Sequence, residues 1–215
     1  MRSPEVTVID YGVGNLLSVR RGLEYWGARV TQTSNPDAIL ASSHVVLPGV
    51  GAFGNAMKAL HKQGLPEVIR DVASRGKPFL GICLGMQLLM DESEEFELTR
   101  GLGLISGRVI PVPSRTAAGV SQKIPHIGWN TLVPAGGRRD WTGTLLAEVR
   151  LSERVYFVHS FMADPANAGH RIADCLYGEQ AVSAVIGRDN ITGCQFHPEK
   201  SREVGLRVLR RFLES

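Results

Sequence analysis

The sequence predicts a three-layer α/β/α fold, with a mostly parallel central sheet and an antiparallel extension. Three observations carry that prediction. From Val6 to Met90, short apolar runs end in turns and lead into segments with helical spacing, in the order β-α-β-α-β-α-α-β-α. From about Leu102 the pattern changes to short strands broken by glycine and proline. The chain has 215 residues, 43% of them hydrophobic. A chain of that size buries roughly 70% of its unfolded surface, so residues 1–215 read as one domain.

Val6 to Ile9 reads as a buried strand that ends in Asp10-Tyr11-Gly12-Val13-Gly14-Asn15, and Leu16, Val19, Leu23 and Trp26 follow at helical spacing. The turn has no third glycine to seat a helix against a dinucleotide, so it reads as turn chemistry that displays polar groups at a sheet edge. Ala28 to Thr33 is a second strand, Asn35-Pro36-Asp37 a turn that starts a helix, and His44 to Leu47 a third strand. Pro48-Gly49-Val50-Gly51-Ala52-Phe53-Gly54 then leads into a helix at Asn55 to His61, and its glycines let backbone N–H groups approach a ligand. Leu65 to Arg75 is an amphipathic helix stopped by Gly76, ahead of the strand Pro78-Phe79-Leu80.

Gly81-Ile82-Cys83-Leu84-Gly85-Met86-Gln87 joins that strand to a helix through Leu88-Leu89-Met90. Gly-x-Cys-x-Gly is the pattern of a nucleophile elbow, a strained turn with no room for bulky Cβ atoms beside the nucleophile. The expectation is a thiol exposed at the turn, near the N–H groups of the next helix. Further on, Leu104-Ile105, Val109 to Val112, Ile124 to Leu132 and Val155 to Val158 read as short strands, with mobile loops at 114–122 and 134–143. Ile172 to Tyr177, Ala181 to Ile186 and Ile191 to Phe196 follow as strands, and the last delivers His197-Pro198-Glu199-Lys200-Ser201. A closing helix at Ser201 to Leu213 buries Val204, Val208, Leu209 and Phe212.

Composition excludes several classes. The net charge is only +3 and the basic residues form scattered pairs, which argues against nucleic-acid binding. No long apolar run exists and the amino end goes directly into a strand, against a membrane span or a signal peptide. Three cysteines without a close pair argue against a disulfide framework or a zinc site and fit a reducing cytoplasm; no cofactor or metal is expected.

An unperturbed thiol is only about 3% ionised at neutral pH, so Cys83 needs a base or a cationic partner to act as a nucleophile. Pro198 breaks the strand after His197 and puts that ring at a strand end, with Glu199 in reach to orient it. Cys83, His197 and Glu199 therefore make a candidate triad. His44, His61 and His170 read as structural or surface residues, and Cys175 and Cys194 as inert buried thiols. A peptidase-like cysteine hydrolase and a non-catalytic scaffold subunit stay open as alternatives.

Residues 81–87 together with Gln-Phe-His-Pro-Glu-Lys-Ser at 195–201 resemble the class I glutamine amidotransferases, and within them the glutaminase subunits of imidazole glycerol phosphate synthases. Asp10 to Asn15, Pro48 to Gly54, Pro125-His126-Ile127-Gly128-Trp129-Asn130 and Tyr156-Phe157-Val158-His159-Ser160-Phe161 carry the closer likeness. The resemblance implies a flavodoxin-like α/β/α fold and a Cys-His-Glu triad that hydrolyses glutamine through a thioester. It implies an oxyanion hole from the Leu84 N–H and the Val50-Gly51 peptide region. Glutamine would be held by Gln87 and Glu95, with Glu92, Glu94 and Glu97 as close rivals of Glu95, and by the backbone of His159, Ser160 and Phe161. The implied partner is a (β/α)₈-barrel cyclase subunit forming a heterodimer in histidine biosynthesis, faced by Asn15, Trp129, Asn130 and Lys200. The alternative for Trp129 is a core residue.

Overall fold

The computed structural model describes residues 3–215. In chain order the elements are β1 (Glu5–Ile9), α1 (Leu16–Glu24), β2 (Arg29–Thr33), α2 (Pro36–Ala41), β3 (His44–Gly49), α3 (Phe53–Lys62), α4 (Leu65–Ser74), β4 (Phe79–Cys83) and α5 (Leu84–Leu88). There follow β5 (Glu92–Ser93), β6 (Thr99–Arg100), β7 (Gly107–Pro111), β8 (His126–Thr131), β9 (Val133–Pro134), β10 (Arg154–His159) and β11 (Phe161–Pro165). The chain closes with β12 (Arg171–Tyr177), β13 (Gln180–Arg188), β14 (Ile191–Cys194) and α6 (Arg202–Leu213).

The central sheet runs β2-β1-β3-β4-β14-β13-β12-β9. Pairing is parallel from β2 through β14 and antiparallel beyond it. This is the three-layer α/β/α fold with an antiparallel extension that the sequence predicts. Side chains alternate across the sheet because successive residues of a strand point to opposite faces. Val6, Val8, Leu80 and Ile82 pack with Val19 and Leu23 of α1 and with Val208, Leu209 and Phe212 of α6. Val45, Leu47 and Phe79 pack on the other face with Met57 and Leu60 of α3 and Ile69 and Val72 of α4. Strands that are covered on both faces read as continuous apolar runs, as these do.

Two smaller sheets stand beside the main one, β10-β8 and β11-β7-β5-β6. Four strands of the molecule escape the sequence reading: β5, β6 and β11 in these sheets and β9 at the edge of the main one. β5, β6 and β9 have only two residues each and show no period. Leu104 and Ile105, expected as a strand, instead form a turn whose N–H groups both donate to the Leu89 carbonyl. The helix after Cys83 stops at Leu88, and the closing helix starts at Arg202 after a 3₁₀ turn at Pro198–Lys200. Val204 is half-buried, while Val208, Leu209 and Phe212 are buried as expected. Among the described residues no helix is long and apolar enough to cross a membrane, and no group of three or more His, Cys, Asp or Glu could hold a metal ion.

Candidate active site

Cys83 is the last residue of β4 and the cap of α5, with φ 54° and ψ −110°. The two flanking glycines make that turn possible. A Cβ on Gly81 would lie 2.6 Å from the Gly85 carbonyl oxygen, and one on Gly85 would lie 1.8 Å from the Leu47 carbonyl oxygen. Strand and helix are therefore packed backbone to backbone around the thiol. One part of the expectation fails: Cys83 is not exposed but buried, at 7%. The helix folds back tightly enough to leave the sulfur at the floor of a pocket.

Register brings the distant motifs to this point. Gly49 on β3 is opposite Cys83, so the glycine-rich loop starts one residue beyond the elbow's neighbour. Cys194 on β14 is opposite Ile82, so His197 emerges just past Cys83 on the other side. The His197 N–H donates to the Tyr156 carbonyl at 2.9 Å. The buried Ser201 hydroxyl donates to the His197 carbonyl at 2.7 Å and accepts from the Tyr156 N–H at 2.9 Å. These bonds tie the turn that carries the imidazole to β10.

Nδ1 of His197 lies 2.7 Å from Oε1 of Glu199, and both side chains are withdrawn from water. Nε2 of His197 and Oε2 of Glu199 have no hydrogen-bond partner. Burial alone would push the imidazole down, but the Cys83 sulfur and the Glu199 carboxylate together hold it up, at about 9. An imidazolium at this position is the cationic partner that the nucleophile needs. Burial raises the other two thiols, Cys175 up to about 12 and Cys194 well above its ordinary value.

A cavity of about 360 Å³ opens over the sulfur, lined by Val50, Gly51, Cys83, Leu84, Gln87, Glu95, Pro125, Val158, His159, Ser160, Phe161 and His197. A larger cavity, of about 430 Å³, lies elsewhere among Gly76, Arg138, Arg188 and Arg211 and contains none of the residues singled out for chemistry. The family model Glutamine amidotransferase class-I matches residues 7–215. The chain belongs to the class-I glutamine amidotransferases.

Curated relatives narrow the likeness. Imidazole glycerol phosphate synthase subunit HisH 1 of Legionella pneumophila (strain Lens) is 53% identical over 97% of this chain and 98% of its own length. Imidazole glycerol phosphate synthase subunit HisH of Gloeobacter violaceus is 46% identical over 99% of this chain and 90% of its own. Among solved structures, a glutamine amidotransferase superposes with a TM-score of 0.71 at 19% identity, covering 97% of both chains. PurLQS from Thermotoga maritima gives 0.71 at 18% identity, covering 99% of both. These two show a shared fold.

Within this glutamine amidotransferase the glutamates near the pocket separate by partner. Glu94 pairs with Arg108 and Glu97 approaches Lys58, while Glu95 lines the cavity and its Oε2 accepts from the Phe53 N–H at 2.6 Å. Gln87 lines the cavity too, but its Nε2 is committed to the Phe161 carbonyl and to Gln195 Oε1, both at 2.9 Å. Of the four residues expected to face a partner, Lys200 and Trp129 are exposed, and Trp129 is therefore not a core residue. Tyr156 meets the Trp129 ring edge-on and Arg202 lies over it at 5.1 Å. Asn15 is half-buried and caps α1 without a side-chain bond. Asn130 is half-buried, and its side chain donates to the Leu176 carbonyl at 2.9 Å. What it does there is hold β8 to β12.

Sequence reasoning passed over Tyr11, His126 and Gln195 as site residues. The buried Tyr11 hydroxyl donates to the Pro48 carbonyl at 3.0 Å; burial, and then the Cys83 charge, raise it far above its ordinary value. His126 Nδ1 lies 3.0 Å from His159 Nε2, and His159 Nδ1 lies 2.8 Å from the Phe161 carbonyl. That carbonyl needs a donor, so His159 carries its proton on Nδ1 and takes one from His126 on Nε2. Gln195 is wholly buried and donates to the Cys83 sulfur at 3.6 Å. The signal in the sequence was their place in the motifs, Tyr11 within Asp10 to Asn15, His126 within Pro125 to Asn130 and Gln195 beside His197.

Proposed function

We propose that this chain is the glutaminase subunit of an imidazole glycerol phosphate synthase, acting over residues 1–215 as one domain and delivering ammonia to a cyclase subunit. The observation that carries the reading is the buried Cys83–His197–Glu199 arrangement at the floor of a cavity beside a glycine-rich loop. The full-length likeness to HisH subunits supports the choice of synthase.

The Cys83 thiolate attacks the side-chain carboxamide carbon of glutamine, and the carbonyl electrons move onto oxygen. N–H donors at Leu84 and the Val50-Gly51 peptide hold the oxyanion; losing one such donor costs about 10²–10³ in rate. As the oxyanion collapses the C–N bond breaks, and the proton on His197 Nε2 goes to the leaving nitrogen as ammonia departs. Neutral His197 then takes a proton from water, whose oxygen attacks the thioester. Collapse of this second intermediate releases glutamate and restores the thiolate beside the imidazolium. Glu199 holds the ring and balances its charge throughout.

Ammonia in neutral water is mostly protonated and no nucleophile, so the product is useful only when it passes directly to the partner. The partner is taken to be a (β/α)₈-barrel cyclase, meeting Trp129 and Lys200 beside the pocket, and the pair to work in the cytoplasm. The test is Cys83→Ala, assayed with the cyclase subunit. Glutamine-dependent synthesis is expected to vanish, while synthesis from added ammonia and association of the subunits persist. Retained glutamine use, or peptide cleavage by the native chain without glutamine turnover, would sink the reading.

A further inference from the structure

We propose that Gln195 is a positioning residue that aims an amide N–H at the Cys83 sulfur, and that the Phe161 carbonyl, acting through Gln87, dictates which end of the amide faces the sulfur. The inference rests on Cys83 being the nucleophile.

The geometry runs as a chain of hydrogen bonds. The Phe161 carbonyl can only accept, so the Gln87 amide must turn its NH₂ group toward it, at 2.9 Å. The second hydrogen of that NH₂ needs an acceptor and meets Gln195 Oε1, also at 2.9 Å. Gln195 is thereby left with its own NH₂ pointing away from Gln87, and Nε2 lies 3.6 Å from Cys83 Sγ. A flip of Gln195 would set NH₂ against NH₂ and an oxygen against the sulfur. With the side chain 0% exposed, no water could repair that, so the orientation is over-determined.

The consequence concerns the charge on sulfur. The Cys83 thiol can donate to the Val158 carbonyl, 3.9 Å away. The Gln195 donor favours the anion, and a hydrogen bond to a charged atom is the stronger kind. It also fixes where the sulfur sits relative to His197 Nε2, which has no hydrogen bond of its own. Gln195 thus acts through Cys83, from the strand end that also carries the base.

The experiment uses the full chain assembled with its cyclase subunit, in native form and as Gln195→Met and Gln195→Glu. Methionine keeps the length and removes the donor; glutamate keeps an acceptor for Gln87 but puts an oxygen against the sulfur. Alkylation of Cys83 by iodoacetamide is followed against pH by peptide mass mapping, alongside glutamate release. The pH of half-maximal alkylation is expected to rise by about one unit in the methionine variant and further in the glutamate variant. At neutral pH, kcat for glutamate release should fall about 10- to 100-fold with KM changed by less than about 3-fold, and should partly recover at higher pH. Unchanged alkylation profiles, or a kcat loss that does not vary with pH, overturn the proposal. So does failure of both variants to fold, which would assign Gln195 to packing. Alkylation of Cys83 in the native protein separates the two readings. If turnover survives it, the nucleophile assignment falls and this inference with it; if turnover is lost while the variants keep the native profile, this inference alone fails.

Discussion

Cys83 holds a left-handed backbone conformation, φ 54°, that costs a residue with a side chain on the order of 1–3 kcal/mol. The fold tolerates that cost because the strand, the helix and the two flanking glycines leave the chain no other path. His197 is the complementary case, where burial and charge oppose each other and charge wins. Glutamate release by the assembled pair should therefore decline as pH climbs through about 9, where the imidazolium that protonates the leaving nitrogen is lost. Replacing Glu199 with glutamine keeps an acceptor for Nδ1 and removes the negative charge, which lowers the imidazole's hold on its proton. That variant should shift the alkaline limb of kcat/KM to lower pH and cost about 10²–10⁴ in rate. An unmoved limb would show that the carboxylate charge does not set the state of His197.

The elements meet where glycine lets them. α5 begins against β3 with the Gly85 backbone in contact with that of Leu47, and a Cβ there would overlap the carbonyl at 1.8 Å. Gly85→Ala should therefore push α5 off β3 and lower stability by at least about 1–3 kcal/mol, the usual cost of overpacking. Thermal unfolding measures the loss, and since the same shift carries Cys83 away from the glycine loop, glutamine turnover should fall more than stability alone explains. Gly205 does the same work at the other motif, where a Cβ would lie 1.8 Å from the Pro198 carbonyl oxygen, so α6 can pack only as glycine against the turn of His197 and Glu199. A Gly205→Ala chain of native stability would refute that reading.

The molecule as a whole has opposing titrations built into its site. His126 and His159 are held down, at about 4, by burial, with the Phe161 carbonyl opposing it at His159. Neutral in the folded chain, they contribute stability that is present above 6.5 and lost as pH falls through about 4. His197, held up at about 9, contributes stability that is fully present below 6.5 and lost as pH rises through about 9. Urea midpoints measured across pH should drop on both sides of a maximum near neutrality, and a midpoint as high at pH 4 as at pH 7 would contradict the first half. At this scale the sequence was most legible where one chemical demand acts locally. The apolar runs of β1, β3 and β4 must be buried on both faces, so they announce a parallel sheet. Gly81 and Gly85 flank a residue that no other turn would accept, and Pro198 marks where a strand must stop. What tertiary structure alone decided are the relations that depend on strand order. The insertion of β14 beside β4 set Gln195 against a sulfur 112 residues away in sequence. The His126–His159 pair arises the same way, from the register of β8 against β10. Each depends on which strands become neighbours and in what register, and a residue's own type and spacing carry no record of a partner supplied from the far end of the chain.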